Sequence, residues 1–186
     1  MKSPIPKATL LLLLLSIAIY RLDSNAQWAI YDREKPVEIW RYLLASFAHY
    51  DLKHLTLNLM VFAILGIRLE QRTGSDYFCV SVLLTAISST FILHCFFYEY
   101  SNYAGISTIN YAMLGFLLIS MFYRRRIELA VYALLILCYQ ALSVRFAIME
   151  MHSLVQPVWQ LHVLALIWGI VAGLYCLRNR SGNVVS

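Results

Sequence analysis

The chain has 186 residues, of which 61% are hydrophobic and only 13% charged, with a net charge of +5 and a mean hydropathy of +0.66. The charged share is about half that of a soluble globular domain, which would have too little polar sequence here to cover its surface. The apolar residues fall in long runs, so composition excludes a water-soluble domain and predicts a single membrane-embedded one.

The first run, Ala8–Tyr20, follows Lys2 and Lys7. It has the look of a signal peptide, and Ser24-Asn25-Ala26 offers a small-residue cleavage pattern. Arg21 and Asp23 interrupt the approach to that site, and further apolar runs follow, so a retained first helix over 6–22 is expected. Five more runs predict helices over 52–67, 77–98, 105–123, 127–146 and 158–177. Each is near the length needed to cross a ~30 Å hydrocarbon core at about 1.5 Å per residue. Polar punctuation at Arg68–Ser75, Glu99–Tyr103, Arg124–Arg126 and Met149–Pro157 separates them. The expectation is an all-α polytopic bundle of six helices occupying residues 1–186 as one domain.

Charge predicts the orientation. With a cytoplasmic N-terminus, the inner side holds nine of the fifteen basic residues (Lys2, Lys7, Arg68, Arg72, Arg124, Arg125, Arg126, Arg178 and Arg180) against Glu70, Asp76 and Glu128. That bias follows the positive-inside rule and sets both termini in the cytoplasm. The surplus positive charge is a topology signal and calls for no nucleic-acid partner. Trp28, Tyr31, Trp40, Tyr42, Tyr98, Tyr100, Tyr103 and Trp159 lie near segment ends, as interfacial anchors do. Cys79, Cys95, Cys138 and Cys176 sit inside apolar runs without ligand spacing and read as buried thiols.

Few polar residues interrupt the spans. His54 and Asn58, four apart on one helix face, Ser107 and His162 all fall near the outer ends of the second, fourth and sixth helices. Such residues usually face a bundle interior and mark function. A serine beside a histidine able to take its proton is a nucleophile–base pair, and an imidazole or amide can hold an oxyanion. No acidic residue near His162 completes a triad, so the pair would be a dyad. The plain alternatives are helix packing for Ser107, an interhelical hydrogen bond for His162 and a polar clasp for His54–Asn58. His94 and Arg145 read as snorkelling residues. Ala165, Gly169 and Gly173 form a small-residue stripe on the sixth helix, with Gly115 on the fourth. Packing these faces together brings Ser107 to His162, with Tyr111 one turn below to stack on the imidazole or simply to fill space.

These residues resemble the rhomboid intramembrane serine proteases from Trp40 to Leu174. WRYLLASFAHYDLKHLTLNL (Trp40–Leu59) is similar to the family's outer loop and its HxxxN motif, and RLEQRTGS (Arg68–Ser75) to its turn after the second helix. GISTINYAMLGF (Gly105–Phe116) resembles the GxSG segment, and HVLALIWG (His162–Gly169) the sixth-helix histidine with its packing face. The resemblance implies Ser107 as nucleophile, His162 as base, His54 and Asn58 at the oxyanion with the Ser107 amide, and Tyr111, Gly105 and His49 in support. It implies no metal or cofactor, transmembrane proteins as substrates, and the inner membrane of a bacterium. The compact layout is similar to bacterial rhomboids and their rhombosortase branch, which resembles sortases in processing the C-terminal anchors of exported proteins.

Two departures stand out. Thr108 replaces the glycine after the nucleophile, and Ala165 replaces a packing glycine. If the Thr108 position needs φ > 0 or close backbone approach, a β-branched residue would strain it. A proteolytically inactive relative that binds membrane clients is therefore the second reading. A small transporter is the third, but its polar path would need deeper residues than Asn58 and Asn110, leaving Gln140 as the main one.

Overall fold

The computed structural model describes residues 5–22, 28–122, 131 and 158–182. The expected fifth helix, the Arg124–Arg126 cluster, Cys138, Gln140 and Arg145 lie outside the described residues. The described elements are α1 (Lys7–Leu22), β1 (Tyr31–Asp32), α2 (Arg41–Leu44), α3 (Leu52–Thr73), α4 (Ser75–Phe96), β2 (Asn102–Tyr103), α5 (Ser107–Phe122) and α6 (Trp159–Gly182). Three of these helices, over Leu52–Thr73, Ser75–Phe96 and Trp159–Arg178, are long and apolar enough to cross a membrane, and Ser107–Ser120 is a shorter apolar helix.

α5 forms the axis of the bundle. Residues 103–117 along it and just before it are all buried, and α3, α4 and α6 pack around it. The approach to α6 is backbone to backbone. A Cβ on Gly169 would run into the Ala112 carbonyl, one on Gly115 into the Leu166 carbonyl, and one on Gly173 into the Ile119 side chain. The small-residue stripe is thus what allows this pair to close. Outward-facing Leu83, Leu84, Ile87 and Phe91 on α4, and Leu164, Ile167, Trp168 and Val171 on α6, are exposed, leaving an apolar rim suited to lipid.

Asp51 starts α3: it caps the helix in an extended conformation, and its carboxylate accepts the His54 amide at 2.7 Å. The expected end of this helix at Ile67 needs correction. α3 runs on to Thr73, and the turn reduces to Gly74, whose φ of 90° suits only glycine. Arg68–Thr73 stays helical because Glu70 turns inward to meet α1. Its carboxylate accepts the amides of Ala8 (2.9 Å) and Thr9 (2.7 Å) and the hydroxyls of Thr9 (2.7 Å) and Ser75 (2.6 Å). The unsatisfied first-turn amides of α1 thus find a negative partner on α3.

The loops at the Ser107 end of the bundle are folded, with β1 and β2 pairing antiparallel, Tyr31 opposite Tyr103. Arg33 donates to the carbonyls of Leu93, His94, Phe97 and Tyr100, closing the C-terminal end of α4. Tyr31 and Tyr103 are buried, so these two are core residues rather than interfacial anchors. His94 does not snorkel either: its Nδ1 lies 2.7 Å from the Tyr31 hydroxyl. Cys79, Cys95 and Cys176 are free thiols, half-buried rather than fully buried.

Candidate active site

Ser107 is the first residue of α5 and His162 lies in the first turn of α6, so both side chains meet at one end of the closely packed pair. Ser107 Oγ stands 2.9 Å from His162 Nε2. Tyr111, one turn below the serine, stacks on the imidazole with ring centroids 4.5 Å apart and planes 18° from parallel. The ring is held on one face, and its tilt toward the serine is fixed. Among the described residues, the only side-chain hydrogen bond of His162 is to Ser107. The contact has the geometry of proton transfer between hydroxyl and imidazole.

The chain reaches Ser107 through Gly105, whose φ of 123° is open to glycine alone. A Cβ there would also lie 2.8 Å from His54 Cε1 and 3.0 Å from His54 Nε2. The His54 imidazole therefore rests against the backbone just before the serine, and only glycine leaves room for it. The Gly105 amide donates to the Ala45 carbonyl at 2.9 Å, tying this turn to the segment between α2 and α3. His49 is buried behind His54, edge-on at 5.1 Å, with Nδ1 3.2 Å from the Phe47 carbonyl. Tyr50 stacks on the His54 ring at 6.1 Å.

Asn58 is fully buried one turn below His54, and its Nδ2 donates to the His54 carbonyl at 3.0 Å. It also meets a residue to which spacing assigns no part in the site. Asn110 on α5 donates to the Asn58 carbonyl at 3.1 Å and to its Oδ1 at 3.4 Å. The sequence signal was a second amide three residues after Ser107, in a run otherwise apolar.

Thr108 has no positive φ: it lies in the first turn of α5. Its side chain is fully buried, and its hydroxyl bonds that of Tyr103, which also donates to the Gly105 carbonyl at 3.1 Å. A threonine is thus accommodated at this position by a partner on β2. Ala165 is likewise buried without obstructing the α5–α6 contact. No cluster of three or more His, Cys, Asp or Glu side chains able to hold a metal occurs among the described residues.

A family model described as Rhomboid domain matches residues 36–179. Two bacterial proteins are among the curated relatives the chain is similar to. Rhomboid protease GlpG of Klebsiella pneumoniae (strain 342) is 34% identical over 86 residues, 46% of this chain and 30% of the relative. Rhomboid protease GlpG of Yersinia pestis (strain Pestoides F) is 31% identical over 117 residues, 58% of this chain and 41% of the relative. The chain thus spans less than half the length of the curated relatives it matches.

Proposed function

The chain belongs to the rhomboid family, and on that premise we propose that it is an intramembrane serine protease acting through a Ser107–His162 dyad. The observation that carries this reading is the 2.9 Å contact between Ser107 Oγ and His162 Nε2, with Tyr111 stacked behind the imidazole. The domain is 1–186, six helices cross the bilayer with both termini in the cytoplasm, and the dyad opens toward the outer face of a bacterial inner membrane. The charge bias between loops supports that orientation.

A transmembrane substrate would unwind near the outer face and offer a peptide carbonyl to the serine. Ser107 Oγ attacks the carbonyl carbon while its proton passes to His162 Nε2. The negative charge gathers on the former carbonyl oxygen, where His54, Asn58 and the Ser107 amide stabilise it. The tetrahedral adduct then collapses: the C–N bond breaks, and His162 returns the proton to the leaving amine. Water entering from the outer side repeats the sequence on the acyl-enzyme, releasing the acid and restoring the serine. These steps call for no metal or cofactor.

The alternative, an inactive relative that binds membrane clients, drew its support from Thr108. The helical backbone there and its Tyr103 partner weaken that support. Labelling with a serine-directed fluorophosphonate separates the two readings. Modification of the wild type that is lost in Ser107→Ala is expected; wild type refusing the label while still retaining client proteins would favour the binding protein.

A further inference from the structure

The site contains a buried amide that the dyad does not use. Asn110 lies one turn into α5, is 2% exposed, and reaches α3 through Nδ2 alone. Its Oδ1 is buried with no hydrogen-bond partner among the described residues. An orphaned carbonyl in an apolar bundle is a net loss. Leucine has nearly the same volume and would fill the position without that loss. Burial and packing therefore give no reason for an amide here. What Asn110 supplies, and leucine cannot, is a hydrogen bond to Asn58.

The consequence falls on the Asn58 side chain. The two ends of a carboxamide are nearly identical in shape, and rotation about its last bond is roughly two-fold, so hydrogen bonds alone decide which end points where. Two of its bonds favour the same orientation. Asn110 donates to Asn58 Oδ1, and Asn58 Nδ2 donates to the His54 carbonyl, toward the outer end of α3. The NH2 group is thereby turned toward the end of the helix where His54 meets Gly105. Without a donor at position 110 the carboxamide keeps its bond to the His54 carbonyl but loses the bond that holds its oxygen end. It is then held at one end only, and the aim of its NH2 group at the place where the oxyanion forms is less well defined.

We propose that Asn110 is a positioning residue that holds Asn58 with its donor end toward the oxyanion. The inference rests on the proteolytic reading above. It is tested by a double-mutant cycle on the full chain in proteoliposomes with a transmembrane substrate. Asn110→Leu should lower kcat roughly tenfold while KM moves less than about twofold, the signature of an interaction made in the transition state. In an Asn58→Ala background, measured over long incubations, the same substitution should change kcat less than about twofold. An equal loss in both backgrounds, or no loss in the wild-type background, overturns the inference. Asn110→Ala goes through the same cycle, so that a folding defect of the leucine variant leaves the test intact. Ser107→Ala runs alongside: cleavage that survives it overturns the proteolytic reading, and this inference with it, whereas loss in Ser107→Ala with additive Asn110 effects overturns this inference alone.

Discussion

The hydroxyl of Tyr103 meets the hydroxyl of Thr108 inside the turn that delivers Ser107 to the start of α5. Both side chains are buried, and Tyr103 also holds the Gly105 carbonyl. The pair braces the turn from the β1–β2 side, where a glycine after Ser107 would leave the tyrosine hydroxyl without this partner. Thr108→Val keeps the shape and removes the hydroxyl, so it is expected to lower stability by about 1–2 kcal/mol. Thr108→Ser keeps the bond and should lie much closer to wild type. Thermal unfolding in detergent distinguishes the two; equal midpoints for Val and Ser would mean that the hydroxyl bond carries no weight.

Gly105 is constrained twice, by its φ of 123° and by the His54 ring against it. Gly105→Ala should displace His54 and the Ser107 backbone together, reducing fluorophosphonate labelling by at least about tenfold. Gly74 provides the comparison, since its φ is also positive but nothing lies within 4 Å of a Cβ there. Gly74→Ala should cost stability through the backbone alone and leave the labelling rate of the folded fraction near wild type.

The contact between Ser107 and His162 depends on how closely α5 and α6 approach. Gly169→Val would drive a side chain into the Ala112 carbonyl and force the helices apart. A shift of about 1 Å at a catalytic pair can cost on the order of 100-fold in rate. The expected outcome is loss of both labelling and cleavage, together with a lower unfolding temperature. Wild-type rates in Gly169→Val would show that the dyad does not need this helix contact.

On the opposite side of the bundle, Glu70 accepts four hydrogen bonds, three of them from α1. Glu70→Gln converts one accepting oxygen into a donor that faces other donors, at a cost of about 1–3 kcal/mol. Limited proteolysis should then cut within α1 earlier than in wild type, because α1 is anchored at that end by this carboxylate. Unchanged protection of α1 would place its anchorage elsewhere.

His49 gives the segment before α3 a pH dependence with a definite sign. Burial, with His54 beside it, pushes its imidazole down to about 3 from the usual 6.5. The folded protein keeps His49 neutral while the unfolded chain takes up a proton below 6.5. The unfolded state therefore binds more protons between pH 6.5 and 3, and stability falls as pH falls through that window, by up to about 1.4 kcal/mol per unit. Unfolding midpoints of wild type and His49→Asn between pH 7.5 and 4 should converge on acidification. Parallel curves would assign the acid sensitivity to other groups.

Much of the site was legible because its signals are local. Ser107 and Tyr111 share a face through i, i+4 spacing, and the Gly169–Gly173 stripe announces a helix that another helix can touch. What escaped depends on partners distant in sequence. Arg68–Thr73 reads as a charged turn until α1 brings amides for Glu70 to accept, which keeps the segment helical. Tyr31, Tyr103 and His94 read as boundary residues, but strand pairing and the Tyr31–His94 bond draw them inward. Asn110 shows the same limit inside the site: composition marks it as polar, whereas its purpose lies in the orientation of Asn58, 52 positions away. Thr108 reads as a source of strain because motif position alone does not reveal a helical φ or a tyrosine partner.

The most direct measurement is cleavage of a transmembrane substrate by the purified, reconstituted protein, compared with Ser107→Ala and His162→Ala. If the 2.9 Å contact is a nucleophile–base pair, wild type cleaves near the outer end of the substrate helix and either substitution abolishes the product. Cleavage that survives both substitutions would contradict the dyad.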